Sequence, residues 1–150
     1  MADKRAAKFD FEPVDIVPLE EAEQCALMEW AAYNAGKWPE LRLLYHIPNE
    51  GKRSIRAGAR LKAQGLKRGV PDNHLPVARG GYIGLYIELK RRDKRKSRVT
   101  QDQADWITDL SMQGHKCCVC WGWEQARDVL EEYMSAAPTM IHKQAEGATK

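Results

Sequence analysis

The stretch Gly80-Gly81-Tyr82-Ile83-Gly84-Leu85-Tyr86-Ile87-Glu88-Leu89-Lys90 decides how the rest of the chain is read. Ile83, Leu85, Ile87 and Leu89 alternate with Tyr82, Gly84, Tyr86, Glu88 and Lys90, and side chains two apart leave a strand on the same face. The pattern predicts a strand with one apolar face and an opposite face that ends in an acid and a lysine. Gly80-Gly81 supplies a tight turn before it, so Asn73 to Val77 is expected to pair with it as a hairpin. Just ahead of that partner, Gly69-Val70-Pro71-Asp72 sets an acid at the end of an extended segment, because Pro71 keeps Val70 out of the helical region. A hairpin then brings Asp72 beside Glu88, sixteen residues further on.

Two carboxylates placed together can hold one or two hard divalent cations through oxygen. A cation held there lowers the pKa of water and polarises a phosphoryl oxygen. A lysine one strand repeat beyond the second acid can orient the attacking water or neutralise charge on the phosphate. Glu88 and Lys90 are expected about 6 to 7 Å apart along the strand, too far for an obligatory pair. Singly, an Asp in a turn is ordinarily structural, and a Glu-x-Lys on a strand is ordinarily a surface pair. Their conjunction on one strand, between two basic runs, points to phosphodiester hydrolysis.

The basic runs are uneven features of a chain whose net charge is only +3. From Lys52 to Arg68 stand Lys52, Arg53, Arg56, Arg60, Lys62, Lys67 and Arg68, with no acid among them. From Lys90 to Arg98 stand Lys90, Arg91, Arg92, Lys94, Arg95, Lys96 and Arg98 against Asp93 alone. Either run by itself is ordinarily a solvated face. Flanking the acids, they are expected to form a phosphate-binding surface.

At 150 residues and 43% hydrophobic content the chain supports one core and one domain. No apolar run reaches the ~18 residues that cross a bilayer, and the first residues are charged, so a cytoplasmic protein of a bacterial or phage-infected host cell, with no membrane contact, is expected. Cys25, Cys117, Cys118 and Cys120 show neither a disulfide framework nor a zinc spacing and are read as reduced core thiols. His46, His74, His115 and His142 show no ligand spacing; His74, two residues after Asp72, either contacts phosphate or caps the turn.

Outward from the hairpin, a first helix is expected from Pro18 to near Gly36, with Glu20 and Gln24 on one face. Leu41 to Ile47 alternates as a strand, and Pro48 to Gly51 is a turn. Ser54 to Gln64 reads as a short basic helix stopped by Gly65. Thr100 and Gln103 form a capping box that opens a helix ending at Gly114, with Trp106, Ile107 and Leu110 as its buried stripe. Lys116 to Trp121 is a strand, and Glu124 to Met134 a last helix burying Ala126, Val129, Leu130 and Tyr133. Residues 1–17 are expected to form an arm, 18–134 the folded domain and 135–150 a disordered tail.

Gly69-Val70-Pro71-Asp72, Glu88-Leu89-Lys90 and Thr100-Gln101-Asp102-Gln103 with Trp106 and Leu110, preceded by Glu20 and Gln24 on a helix, together resemble the VRR-NUC group of the PD-(D/E)xK nuclease superfamily. The resemblance runs from Leu19 to Tyr133. It implies an α/β restriction-endonuclease-like core, a central mixed β-sheet flanked by helices. It implies Asp72 and Glu88 as ligands of Mg²⁺ or Mn²⁺, the Leu89 carbonyl as a further ligand, and Lys90 as the catalytic lysine. Glu20 completes the metal site, with Glu21 and Glu23 able to take its place under a small register change, and Gln24 and Gln103 support the site from flanking helices. Small stand-alone members of the group are similar to Holliday-junction resolvases, which implies a homodimer acting on branched DNA.

Two other readings compete. A non-catalytic DNA-binding or assembly protein of nuclease-like fold would use the basic runs alone; intact Asp72, Glu88 and Lys90 count against it. A sequence-specific restriction enzyme would need a base-reading element, and no insertion is large enough to supply one. Composition does not separate DNA from RNA as substrate.

Overall fold

The computed structural model describes residues 18–49 and 54–141; the expected arm, with Lys52 and Arg53, lies outside them. Glu20–Asn34 contains neither Gly nor Pro and forms helix α1, which buries Glu23, Leu27 and Ala31 at four-residue spacing. Asn34 closes it by donating its side-chain amide to the Trp30 carbonyl at 2.9 Å.

Leu41 to Ile47 departs from the expected strand. Pro39 seeds a 3-10 turn over Pro39–Leu43, so Leu41 and Leu44, three apart, reach the core together. Strand β1 is left with Tyr45–His46. Leu41/Leu44 spacing fits a 3-10 period as well as an irregular strand, and proline at the first turn decides between them.

Ser54 caps helix α2, Ile55–Ala63, by accepting from the Ala57 amide at 3.2 Å. Gly65, at φ +99°, ends the segment. Strand β2, Asn73–Leu75, and strand β3, Leu85–Lys90, pair antiparallel with Asn73 opposite Ile87. Gly80 and Gly81, both at positive φ, make the tight turn within the connection. β3 begins only at Leu85, and Ile83 is about half exposed rather than part of its apolar face.

The capping box at Thr100 and Gln103 forms as expected and opens helix α3, Gln101–Met112. This helix is the crossover that a parallel pair requires, and strand β4, Lys116–Trp121, returns parallel to β3. The sheet order is β1-β2-β3-β4. Helix α4, Trp123–Ser135, follows the Gly122 turn.

Leu85, Ile87 and Leu89 enter the core with Leu27 and Ala31 of α1 and Ala126, Leu130 and Tyr133 of α4; Val129 packs against that core half-buried. α3 covers the other face, with Gln103 as its buried residue. Trp106, Ile107 and Leu110 are only half-buried, because α3 lies over β4, which is the last strand of the sheet. The thiols divide as well: Cys120 is buried, Cys117 and Cys118 half-buried and Cys25 exposed, all free.

Beyond Ser135 the chain does not break off into solvent at once. Gly80 donates to the Ala137 carbonyl at 2.8 Å and Thr139 to that of Ala78 at 3.2 Å, so the glycine turn, with backbone groups unpaired within the sheet, acquires partners from residues 136–139. Residues 142–150 lie outside the described residues.

Candidate active site

The loop before β2 is held against the first turn of α3. Gly69 sits at φ +83°, and a Cβ there would lie 2.6 Å from the Asp102 carbonyl carbon, so only glycine permits this approach. Asn49 donates to the Val70 carbonyl, while the Ile47 amide and His46 Nδ1 both contact the Asp72 carbonyl, at 2.7 and 2.8 Å. The Asp72 carboxylate accepts from the Leu89 amide at 2.8 Å. Continuing the β2–β3 register one step past Asn73 and Ile87 sets Asp72 opposite Glu88.

The face of β3 that carries Glu88 and Lys90 is as buried as its apolar face: Glu88 is 1% exposed and Lys90 4%. The expectation that these two stand too far apart to pair is overturned, because the lysine stem folds back along the strand and places Nζ 2.7 Å from Glu88 Oε1. Gln103 donates to the same Oε1, while Glu88 Oε2 is buried without a hydrogen-bond partner. From the first turn of α1, Glu20 comes within 3.8 Å of Lys90 Nζ.

The three acids of that turn take different places. Glu21 lines the cleft near Asp72. Glu23 points the other way and accepts from the Trp123 amide at 2.8 Å, where it caps α4, whose own Gly122 has no side chain to do so. Gln24 lines the same cleft as Glu20 and Asp72. It exchanges two amide hydrogen bonds with Asn73, at 2.7 and 2.9 Å, and so fastens α1 to the strand that continues from Asp72. Asn73 was missed by sequence reasoning; an amide at an inward position of an otherwise apolar strand was its signal.

Burial, and then the Asp72 charge, push the Glu88 carboxyl up to about 7 despite the opposing ammonium of Lys90. Burial pulls Lys90 down, but the hydrogen bond and charge of Glu88 outweigh it and the net direction is up. An acid with such a titration, one oxygen unpartnered and a second carboxylate beside it, is a site poised to receive positive charge. Among the described residues no group of three or more His, Cys, Asp or Glu side chains converges on one point. The residues that could hold a cation are Asp72 and Glu88, with Glu20 near Lys90 and the Leu89 backbone against the Asp72 carboxylate. Their oxygens fit a hard divalent cation.

A cleft of about 510 Å³ opens beside Asp72, lined by Glu20, Glu21, Gln24, His46, Asp72 and Leu89. A smaller one of about 160 Å³, between Arg68, Gly69 and the start of α3, shares Asp72 and Asn49 with it. Of the basic residues, Arg56, Arg60, Lys62, Lys67 and Arg68 are exposed, and α2 buries none of its residues. Arg68 faces Asp102 at 3.7 Å. Arg92 is exposed and pairs with Glu124 at 2.7 Å, with Glu23 at 3.6 Å. Arg91 is half-buried beside Lys90.

A family model described as the VRR-NUC domain matches residues 14–123. A solved structure described as a VRR_NUC domain protein is similar at 27% identity and a TM-score of 0.68, over 81% of this chain and 92% of that one. No curated protein matches.

Proposed function

The chain belongs to the VRR-NUC domain family, a nuclease-type domain, and from that membership we propose that it is a divalent-metal-dependent endonuclease that hydrolyses phosphodiester bonds in branched DNA such as Holliday junctions. The observation that carries this reading is the Asp72–Glu88 pair, with Glu88 buried, one oxygen unpartnered and its pKa near 7 beside a charged lysine. Asp72, Glu88 and the Leu89 carbonyl would hold Mg²⁺ or Mn²⁺, with Glu20 completing the set. The cation would supply charge to polarise the phosphoryl oxygen and to acidify water.

The chain's own residues do the remainder. Asp72 is oriented by the Leu89 amide, and Gln103 fixes the Glu88 rotamer, so neither carboxylate has to reorganise. Lys90, at 2.7 Å from Glu88, carries the positive charge that offsets negative charge gathering on the phosphate. The exposed basic side chains Arg56, Arg60, Lys62 and Lys67, with Arg68 at the rim of the second cleft, bind the flanking phosphates and set no sequence preference. A homodimer would place one such site on each of two strands of a junction.

The test is the purified protein with duplex, flap, splayed and four-way DNA in Mg²⁺ and Mn²⁺. Metal-dependent incision with the four-way substrate preferred is expected. Binding of every substrate without incision under either metal would leave the protein a nuclease-like DNA-binding module.

A further inference from the structure

On the face of the sheet that carries Glu88 and Lys90, one step further along the strands, Tyr45, His74, Tyr86 and Cys117 stand opposite one another across all four strands. The rings of Tyr45, His74 and Tyr86 pack against one another. His74 stacks on Tyr86 at 4.1 Å and 9°, and His115, which precedes β4, meets His74 and Tyr86 edge-on at 5.8 and 5.0 Å. His74 Nδ1 lies 2.8 Å from the Tyr45 hydroxyl.

This packing leaves two ring nitrogens over. His74 Nε2 and His115 Nδ1 are both buried without a hydrogen-bond partner. They also face one spot: a Cβ on Gly84 would sit 3.0 Å from His115 Nδ1, 3.3 Å from His74 Nε2 and 3.3 Å from the Leu75 carbonyl. Gly84 is not among the glycines at positive φ, so its backbone does not require glycine. Its missing side chain is what leaves room between the imidazoles. An unpaired buried polar atom ordinarily costs about 1 to 3 kcal/mol, and two of them aimed at one gap call for a guest.

We propose that His74 and His115 bind a single borderline transition-metal ion, Zn²⁺, Ni²⁺ or Co²⁺, over Gly84, with solvent completing its coordination. Imidazole nitrogen selects such ions, whereas the hard Mg²⁺ takes oxygen. The Tyr45 hydroxyl can accept from Nδ1–H of His74, which leaves Nε2 as the lone-pair nitrogen facing the gap, the outer partner that a metal-binding histidine ordinarily has. The ion ties β2 to the start of β4 across β3 and steadies the strand two residues after Asp72. It is separate from the carboxylate set and does not depend on the nuclease reading.

The experiment uses tag-free protein stripped with chelator and titrated calorimetrically with Co²⁺ and Ni²⁺ in excess Mg²⁺, which occupies oxygen ligands. One equivalent of Mg²⁺-insensitive binding is expected in the parent and in Asp72→Asn. His115→Ala should weaken it at least tenfold, and so should Gly84→Ala, which keeps both imidazoles and fills the gap with a methyl. Circular dichroism checks that each variant folds. Absence of Mg²⁺-insensitive binding in the parent overturns the proposal, as does binding that persists in both folded variants.

Discussion

Replacing Glu88 by Gln isolates what the buried carboxyl does to the fold. Glu88 is 1% exposed and titrates at about 7 against an ordinary 4.5. That gap, at about 1.4 kcal/mol per pH unit, amounts to about 3 kcal/mol. The direction follows from proton binding. Below pH 4.5 folded and unfolded chains both hold the proton and nothing is lost. Between 4.5 and 7 the unfolded chain releases a proton that the folded one keeps, so stability falls as pH rises, and above 7 the cost is present in full. Lys90 stays charged throughout, so its attraction is already contained in the figure. Glu88→Gln carries no proton to release, and its advantage over the parent should grow from nothing near pH 4.5 to about 3 kcal/mol at pH 8.5, or about 6 to 12 °C in melting temperature for a chain of this size. Paired thermal melts in chelator across that range read the difference, because the two proteins differ in no other side chain. A difference that stays flat with pH would refute the reasoning. Adding Mg²⁺ or Mn²⁺ at a hundredfold excess over Kd should then stabilise the parent by about 2.7 kcal/mol and leave the variant unmoved.

Asp72→Asn should abolish incision while DNA binding without metal persists or improves, since an acid that repels phosphate is removed; gel shifts and cleavage on one substrate check both. Lys90→Ala should lower the single-turnover rate by about 10² to 10³ at saturating metal. Because Lys90 holds the Glu88 pKa down, its loss should also move the pH–rate profile to higher pH, and Lys90→Arg should rescue poorly. Neutralising Arg56, Arg60 and Lys62 together should weaken all DNA substrates alike and flatten the salt dependence of affinity by about 0.9 log units per lost phosphate contact; an unchanged slope in anisotropy titrations would place α2 away from DNA. Gln24→Ala strands the fully buried Asn73 amide and should cost about 1 to 3 kcal/mol in denaturant melts.

Local patterns carried much of this protein in the sequence alone. The Thr100–Gln103 capping box, the Ser54 cap and the glycine turn at 80–81 depend on neighbours a few residues apart, the pairing of β2 with β3 joins residues ten to fourteen apart across that turn, and all four form. The spacing of Asp72, Glu88 and Lys90 was legible because a hairpin converts sequence distance into register. What depends on contacts far along the chain was not legible. Pro39 turned an alternating segment into a 3-10 turn, and the position of β4 at the end of the sheet left the α3 stripe half-exposed. Three acids within one helical turn look alike in sequence, yet Glu20 faces Lys90 while Glu23 caps a helix one hundred residues away. The titration of Glu88 is likewise a tertiary property: desolvation by the helices on both sides and the charge across the hairpin set it, and neither exists until the sheet has closed around them.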